Sequence, residues 1–419
     1  KINCMNTNKL SLRRNVIYLA VVQGSNYLLP LLTFPYLVRT LGPENFGIFG
    51  FCQATMLYMI MFVEYGFNLT ATQSIAKAAD SKDKVTSIFW AVIFSKIVLI
   101  VITLIFLTSM TLLVPEYNKH AVIIWSFVPA LVGNLIYPIW LFQGKEKMKW
   151  LTLSSILSRL AIIPLTFIFV NTKSDIAIAG FIQSSANLVA GIIALAIVVH
   201  EGWIGKVTLS LHNVRRSLAD GFHVFISTSA ISLYSTGIVI ILGFISGPTS
   251  VGNFNAANTI RNALQGLLNP ITQAIYPRIS STLVLNRVKG VILIKKSLTC
   301  LSLIGGAFSL ILLLGASILV KISIGPGYDN AVIVLMIISP LPFLISLSNV
   351  YGIQVMLTHN YKKEFSKILI AAGLLSLLLI FPLTTLFKEI GAAITLLATE
   401  CLVTSLMLMF VRNNKLLVC

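Results

Sequence analysis

Charge is what this sequence has least of. Only 11% of its 419 residues are Asp, Glu, Lys or Arg, against 57% hydrophobic residues, and the mean hydropathy is +0.91. A soluble domain carries roughly 25% charged and about 45–50% apolar residues. A water-facing surface for a chain of this length cannot be built from so few charges, so the surrounding medium has to be mostly lipid. Acidic residues are the scarcest, 13 Asp and Glu against 31 Lys and Arg, which leaves a net charge of +18. Cysteine is sparse and scattered: Cys4, Cys52, Cys300, Cys401 and Cys419 form no CxxC and no Cys/His pair at ligand spacing. Nothing in that pattern suggests a disulfide framework or a zinc site, and small apolar fillers are the expected role. No GxxxxGK[ST] sequence occurs, so nucleotide hydrolysis within the chain is not expected. No nucleophile–base–orienter set occurs either, and His120, His200, His212, His223 and His359 lie at or near loops. An enzyme, a metal and a cofactor are all absent from the expectation.

Long apolar runs are abundant. A spanning helix needs about 20 mostly apolar residues, and such runs fall near 16–38, 47–68, 88–113, 121–141, 151–170 and 176–199, then near 222–246, 251–276, 297–320, 331–357, 368–387 and 391–411. Polar punctuation separates them, at Gly42-Pro43-Glu44-Asn45, Pro115-Glu116-Tyr117-Asn118, Gly247-Pro248 and Gly325-Pro326-Gly327. Continuous runs of this length, without alternation in ten-residue pieces, exclude a β-barrel. The first run follows Arg13 and Arg14, continues to Val38 and meets no small-x-small cleavage site, so a retained span is expected. Lys1–Cys4, ahead of Met5 as a candidate start, carry no weight in that reading.

Charge sets the orientation. With the N-terminus inside, the inner loops and helix ends hold 23 Lys and Arg, while the outer ones hold only Arg39, Lys119, Lys173, Lys321 and Lys388. Such a bias over short loops is the positive-inside signature. It places both termini in the cytoplasm and accounts for the basic balance without a nucleic-acid partner. The basic inner face is expected to lie against anionic membrane lipids. No loop is long enough for a soluble catalytic or ATP-binding domain; the longest is the central one, 200–221.

The two halves resemble each other. Leu41-Gly42-Pro43-Glu44-Asn45-Phe46-Gly47-Ile48-Phe49 is matched at an offset of 205 by Ser246-Gly247-Pro248-Thr249-Ser250-Val251-Gly252-Asn253-Phe254. Tyr117, Pro129 and Gln143 are matched by Tyr328, Pro340 and Gln354 at an offset of 211. The fold class expected is an all-α membrane protein of about twelve transmembrane helices. They form two six-helix lobes, 1–199 and 222–419, joined by 200–221 and related by a pseudo-twofold axis along the membrane normal. A cavity between such repeats is transporter architecture.

Five ionisable residues fall within the expected spans: Glu64, Lys96, Arg159, Arg261 and Glu400. Each costs about 2.5–3.5 kcal/mol at a helix centre unless paired or hydrated. Lys96 and Arg159 lie near the inside ends of their helices, where a long side chain either snorkels to the interface or faces a cavity. Glu64 and Glu400 are each either one half of an ion pair or a site for a coupling H⁺ or Na⁺. The eighth span carries the clearest pattern. Asn255, Asn258, Asn262, Gln265 and Asn269 are spaced 3, 4, 3, 4, which lays five amides along one helical face beside Arg261. One buried amide often only bridges helices; five with an arginine point to a water-filled cavity. Lesser stripes lie on the first span (Gln23, Asn26, Thr33) and the seventh (Ser229, Ser232, Ser235, Thr236), and the repeat register sets Gln53 opposite Asn258. The expected cavity set is thus Arg261, Asn255, Asn258, Asn262, Gln265, Asn269, Gln23, Asn26, Gln53, Lys96 and Arg159. Arginine matches phosphate oxygens, and amides both donate to and accept from hydroxyls. The expected ligand is anionic and hydroxyl-rich.

Leu41–Gly47 and Trp140-Leu141-Phe142-Gln143-Gly144-Lys145-Glu146-Lys147-Met148 resemble segments of bacterial O-antigen flippases of the Wzx type. These belong to the polysaccharide-transporter branch of the multidrug/oligosaccharidyl-lipid/polysaccharide (MOP) exporter superfamily. The resemblance covers essentially the whole chain. It implies a MATE-like fold and flipping of an undecaprenyl-diphosphate-linked O-unit from the cytoplasmic to the periplasmic leaflet of the inner membrane, for lipopolysaccharide assembly. Other O-antigen assembly proteins are implied as partners. The related lipid II flippases typically have fourteen spans, two more than counted here. Two rivals remain: a drug/cation antiporter of the same superfamily, which would favour a more acidic and aromatic cavity, and a membrane-embedded O-antigen polymerase, which would need a sizeable outer loop.

Overall fold

The computed structural model describes the backbone of residues 2–78, 81–208 and 210–417, with side chains from Leu29 onward except at 227, 230, 270, 273, 274, 277, 281 and 284. Among the described residues every regular element is helical. That follows from the composition, because in lipid each backbone N–H and C=O has to find its partner within its own segment or a closed barrel. The first helices are α1 (Ile2–Glu64), α2 (Phe67–Lys77), α3 (Lys82–Leu113), α4 (Pro115–Lys119), α5 (Ala121–Ser126), α6 (Val128–Ile136), α7 (Ile139–Gly144), α8 (Met148–Phe169) and α9 (Ile176–His200). They are followed by α10 (Leu211–Ser235), α11 (Gly237–Ser246), α12 (Pro248–Gly266), α13 (Asn269–Leu285), α14 (Arg287–Ser323), α15 (Asp329–Ile338), α16 (Leu341–Asn349) and α17 (Lys362–Asn413).

Eight described helical segments are long and apolar enough to cross a membrane. Two of them, Leu29–Lys77 and Lys362–Asn413, run to 49 and 52 residues and are broken within, at Gly42 and at Lys388. Helices α10, α12 and α13, where spans seven and eight were expected, are not among the eight. The serine and amide stripes dilute the apolar content of α10 and α12, and α13 has only 17 residues. The apolar surface faces outward: Leu113 and Leu314 are each 80% exposed, a distribution stable only against hydrocarbon. This is a multi-pass membrane protein.

The chain forms two compact units. Unit 1 holds residues 1–41 and 52–229, and unit 2 holds residues 42–51 and 230–419. In unit 1, α9 packs on α6 and α8, and α7 packs on α2. Its core includes Phe67, Ile75, Phe89 and Val198, together with Trp140, Leu141 and Phe142, all three fully buried. The Trp140–Met148 segment is therefore a packing hub. Gly144 lies so close to the Ile75 side chain and the Thr72 carbonyl that a Cβ has no room, and Gln143 Oε1 accepts the Thr72 hydroxyl at 3.3 Å. In unit 2, α16 packs on α14, α11 on α17 and α15 on α12, around a core that includes Ile294, Leu301, Val350, Met356 and Met407.

The internal repeat is visible in the backbone. Gly42 (φ 75°, ψ 172°) and Gly247 (φ 80°, ψ 179°) adopt the same conformation, one that L side chains rarely adopt, and Pro43 and Pro248 each open the helix that follows. The side chains of Ser81 and Asn286, also 205 residues apart, cap the first turns of α3 and α14. Tyr117 and Tyr328 are both buried, and the helix restarts at Pro129 as it does after Pro340. Where the first half breaks at Tyr137-Pro138, the second runs on through a π-helical stretch, Val350–Leu357.

Within unit 2 the two Gly-Pro segments meet reciprocally. A Cβ on Gly47 would lie 1.7 Å from the Pro248 carbonyl oxygen, and one on Gly252 would lie 2.1 Å from that of Pro43. Three boundaries differ from the sequence expectation. The second span starts at Pro43 rather than 47, because proline suits the first helical turn. Helix α10 begins at Leu211, inside the expected central loop. The amide stripe, expected on one continuous helix, is interrupted at Leu267 and Leu268, since Pro270 cannot continue the ladder of α12.

Candidate substrate site

Helix α12 brings most of the amide stripe together in unit 2. Asn255 packs on Gly50, where a Cβ would lie 1.9 Å from Asn255 Nδ2. Asn258 Oδ1 accepts from Arg261 Nε at 3.2 Å and from Nη2 at 2.6 Å, a two-pronged bond from one helical turn away that fixes the guanidinium plane. Arg261 is 8% exposed. Its charge acts on the Glu400 carboxylate of α17, whose Oε1 accepts the Ser348 hydroxyl at 2.7 Å. Glu400 in turn acts on Tyr234. Asn262 is half-buried on the same face. Gln265 is buried, and neither its amide nitrogen nor its oxygen has a hydrogen-bond partner. Asn269, expected to extend the stripe, instead opens α13 beyond the break.

Chemically the cluster is a buried forked cation held by an amide, with a buried carboxylate within its electrostatic reach. A buried arginine of this kind is well matched to phosphate oxygens.

The remaining expected residues lie in unit 1 or outside the described side chains. Lys96 Nζ donates to Glu64 Oε2 at 3.2 Å, to the Asn134 carbonyl at 3.0 Å and to Asn134 Oδ1 at 3.2 Å. Asn134 Nδ2 donates to the same Glu64 oxygen, and the Asn68 backbone N–H donates to Glu64 Oε1. For Glu64, of the two readings open, this contact is the ion pair; its partner Lys96, expected to snorkel or to face a cavity, is 1% exposed. Arg159 is half-buried with Tyr137 as an electrostatic neighbour. Gln53 is exposed. Gln23 and Asn26 lie outside the described side chains.

Asn134, Ser348 and Tyr234 were missed from the sequence. Asn134 is the one amide in its apolar run, a signal that was available; Ser348 and Tyr234 have none, since serine and tyrosine are common in such spans. Glu389, missed because it falls in the turn between two runs, is 3% exposed and accepts from Asn330 Nδ2 at 2.7 Å. Among the described residues no group of three or more His, Cys, Asp or Glu is placed to hold a metal.

Helices broken at equivalent glycines, in two repeats, define a fold with solved counterparts. An inward-facing multidrug-resistance MATE transporter of the MOP superfamily matches with a TM-score of 0.73 at 14% identity, over 94% of this chain and 99% of that one. The lipid II flippase MurJ in an inward closed conformation matches with a TM-score of 0.75 at 12% identity, over 95% of this chain and 86% of that one. The fold is that of MOP-superfamily transporters. The sequence profile of the family described as "Polysaccharide biosynthesis protein" matches residues 12–283. A Shigella dysenteriae protein named "Putative O-antigen transporter" is 32% identical over 404 residues, covering 96% of this chain and all of the relative. This chain belongs to the polysaccharide biosynthesis protein family, as the Leu41–Gly47 and Trp140–Met148 segments led one to expect.

Proposed function

We propose that this protein is a flippase that carries polyprenyl-diphosphate-linked O-antigen units from the cytoplasmic to the periplasmic leaflet of the inner membrane by alternating access. Both termini are cytoplasmic in this reading, as the basic inner loops require. The observation that carries it is Arg261: buried in α12 of a membrane protein, pinned by Asn258 and within the electrostatic reach of Glu400. A cation in that setting is costly unless it has a task, and binding a diphosphate is the task its geometry suits. Asn255, Asn258, Asn262 and Gln265 offer the glycan donors and acceptors, while the prenyl tail stays in lipid. Glu400 trades partners as the diphosphate arrives, which makes it the better coupling candidate; Glu64 is committed to Lys96. The chain acts as a transporter and not as an enzyme, with the lipid-linked oligosaccharide, membrane lipids and the O-antigen assembly proteins as partners.

The test is complementation of a host lacking its own flippase. Arg261→Ala should abolish O-antigen display at unchanged protein level, and Arg261→Lys should restore it only in part, since the fork is lost. Full display with Arg261→Ala would remove the residue from the mechanism. Restored resistance to cationic drugs without restored display would favour the antiporter instead.

A further inference from the structure

Glu64 closes α1 at a break, ahead of Tyr65 (φ 48°) and Gly66 (φ 84°), and α2 then opens on that glycine, which has no side chain to cap it. The Glu64 carboxylate supplies the missing acceptor, taking the Asn68 N–H on Oε1 at 3.1 Å. Its Oε2 takes Lys96 Nζ and Asn134 Nδ2, both at 3.2 Å. An ammonium, an amide and an N–H of a first helical turn, from α3, α6 and α2, thus converge on one oxyanion. Donors of these kinds are the ones that hold phosphate oxygens. Lys96 Nζ also donates to the Asn134 carbonyl at 3.0 Å and to its Oδ1 at 3.2 Å, so the cradle keeps its shape without the carboxylate. Lys96 is 1% exposed and Glu64 21%: the ammonium is sealed in, and the acceptor is the member that reaches solvent.

We propose that Lys96, Asn134 and the first turn of α2 form an oxyanion site that Glu64 fills from within the chain, and that a phosphate group displaces Glu64 from it. The site lies in unit 1, uses no residue of α12, and stands whether or not the flippase reading holds. A carboxylate brings two oxygens and a single negative charge. A phosphomonoester brings about −1.5 to −2 and three acceptor oxygens, one for each donor. Exchange is required rather than release, because a buried ammonium left without an anion is costly. The chain allows it: Glu64 is the last residue of its helix, with the break at Tyr65 and Gly66 just beyond, so its carboxylate leaves without unwinding a turn. Two sources share this chemistry, free phosphate and a phosphomonoester carried on a lipid.

The experiment follows thermal melting of the purified full-length protein in a neutral detergent, with inorganic phosphate or with chloride at equal ionic strength. Glu64→Ala should melt below the wild type in chloride, and saturating phosphate should recover most of that loss. The double variant Lys96→Met/Glu64→Ala has no ammonium to receive the ion, so its gain from phosphate is the general salt effect alone. A gain in Glu64→Ala no larger than in the double variant would overturn the site and leave a structural ion pair. Glu64→Gln keeps the cradle filled but uncharged, and should take up phosphate at a lower concentration than the wild type. Equal concentrations would overturn the exchange, even where Glu64→Ala is not recovered folded. Phosphatidic acid in mixed micelles, compared with phosphatidylcholine, separates the two sources. Recovery of Glu64→Ala with phosphatidic acid alone assigns the lipid, and recovery with inorganic phosphate alone assigns the free ion; recovery with neither overturns the proposal. Arg261 is untouched throughout, so no result here bears on the flippase reading.

Discussion

Lys96 is 1% exposed, and its ammonium has three acceptors within 3.2 Å, all on Glu64 and Asn134. A buried pair of this kind is weak evidence of net stabilisation, yet breaking it by removing one partner typically costs about 3–5 kcal/mol, because a buried charge is left uncompensated. Glu64 is 21% exposed, so water offsets part of that and the lower end applies. Lys96→Met should therefore lower the melting temperature of the detergent-solubilised protein. Adding Glu64→Gln should recover most of the loss, since a neutral amide can still bond Asn134. A double variant as unstable as the single one would contradict the pairing. The charges themselves were legible as ionisable residues at membrane depth. Their partners were not, because Glu64, Lys96 and Asn134 come from three segments whose juxtaposition only packing decides. Arg261 and Asn258 were legible together, being neighbours on a single helical face.

At the scale of elements, the paired Gly-Pro segments show what a motif in sequence does physically. Gly42 and Gly247 turn the chain, Pro43 and Pro248 restart a helix, and Gly47 and Gly252 then let backbone meet backbone in unit 2. Alanine at either close-approach site has to push a carbonyl aside, an overpacking that costs typically about 1–3 kcal/mol. Gly47→Ala and Gly252→Ala should each lower the melting temperature. The double variant should lose less than the sum of the two, because one displacement relieves both contacts. Additive losses, or none, would show that the reciprocal contact is not what fixes these glycines. The repeat was legible here because glycine and proline leave a mark in the sequence. The helix break after Gly266 was legible in Pro270 but was outweighed by the regular spacing of the amides. The π-helical stretch at Val350–Leu357 has no such mark.

For the whole molecule, the scarcity of charge was enough to assign a membrane protein, and the long continuous apolar runs made it all-helical. The grouping of residues 42–51 with unit 2 was not legible, since it depends on tertiary contact between segments 205 residues apart in the chain. In the proposed mechanism the Arg261 face of α12 lines the aqueous substrate path. Cysteine labelling in cells tests it most directly, in a background where the native cysteines are replaced. Single cysteines at 258, 261 and 265 should react with a membrane-impermeant thiol reagent, and one at Ile260, on the opposite face of the helix, should not. Silence at all three positions, with or without substrate, would contradict the account.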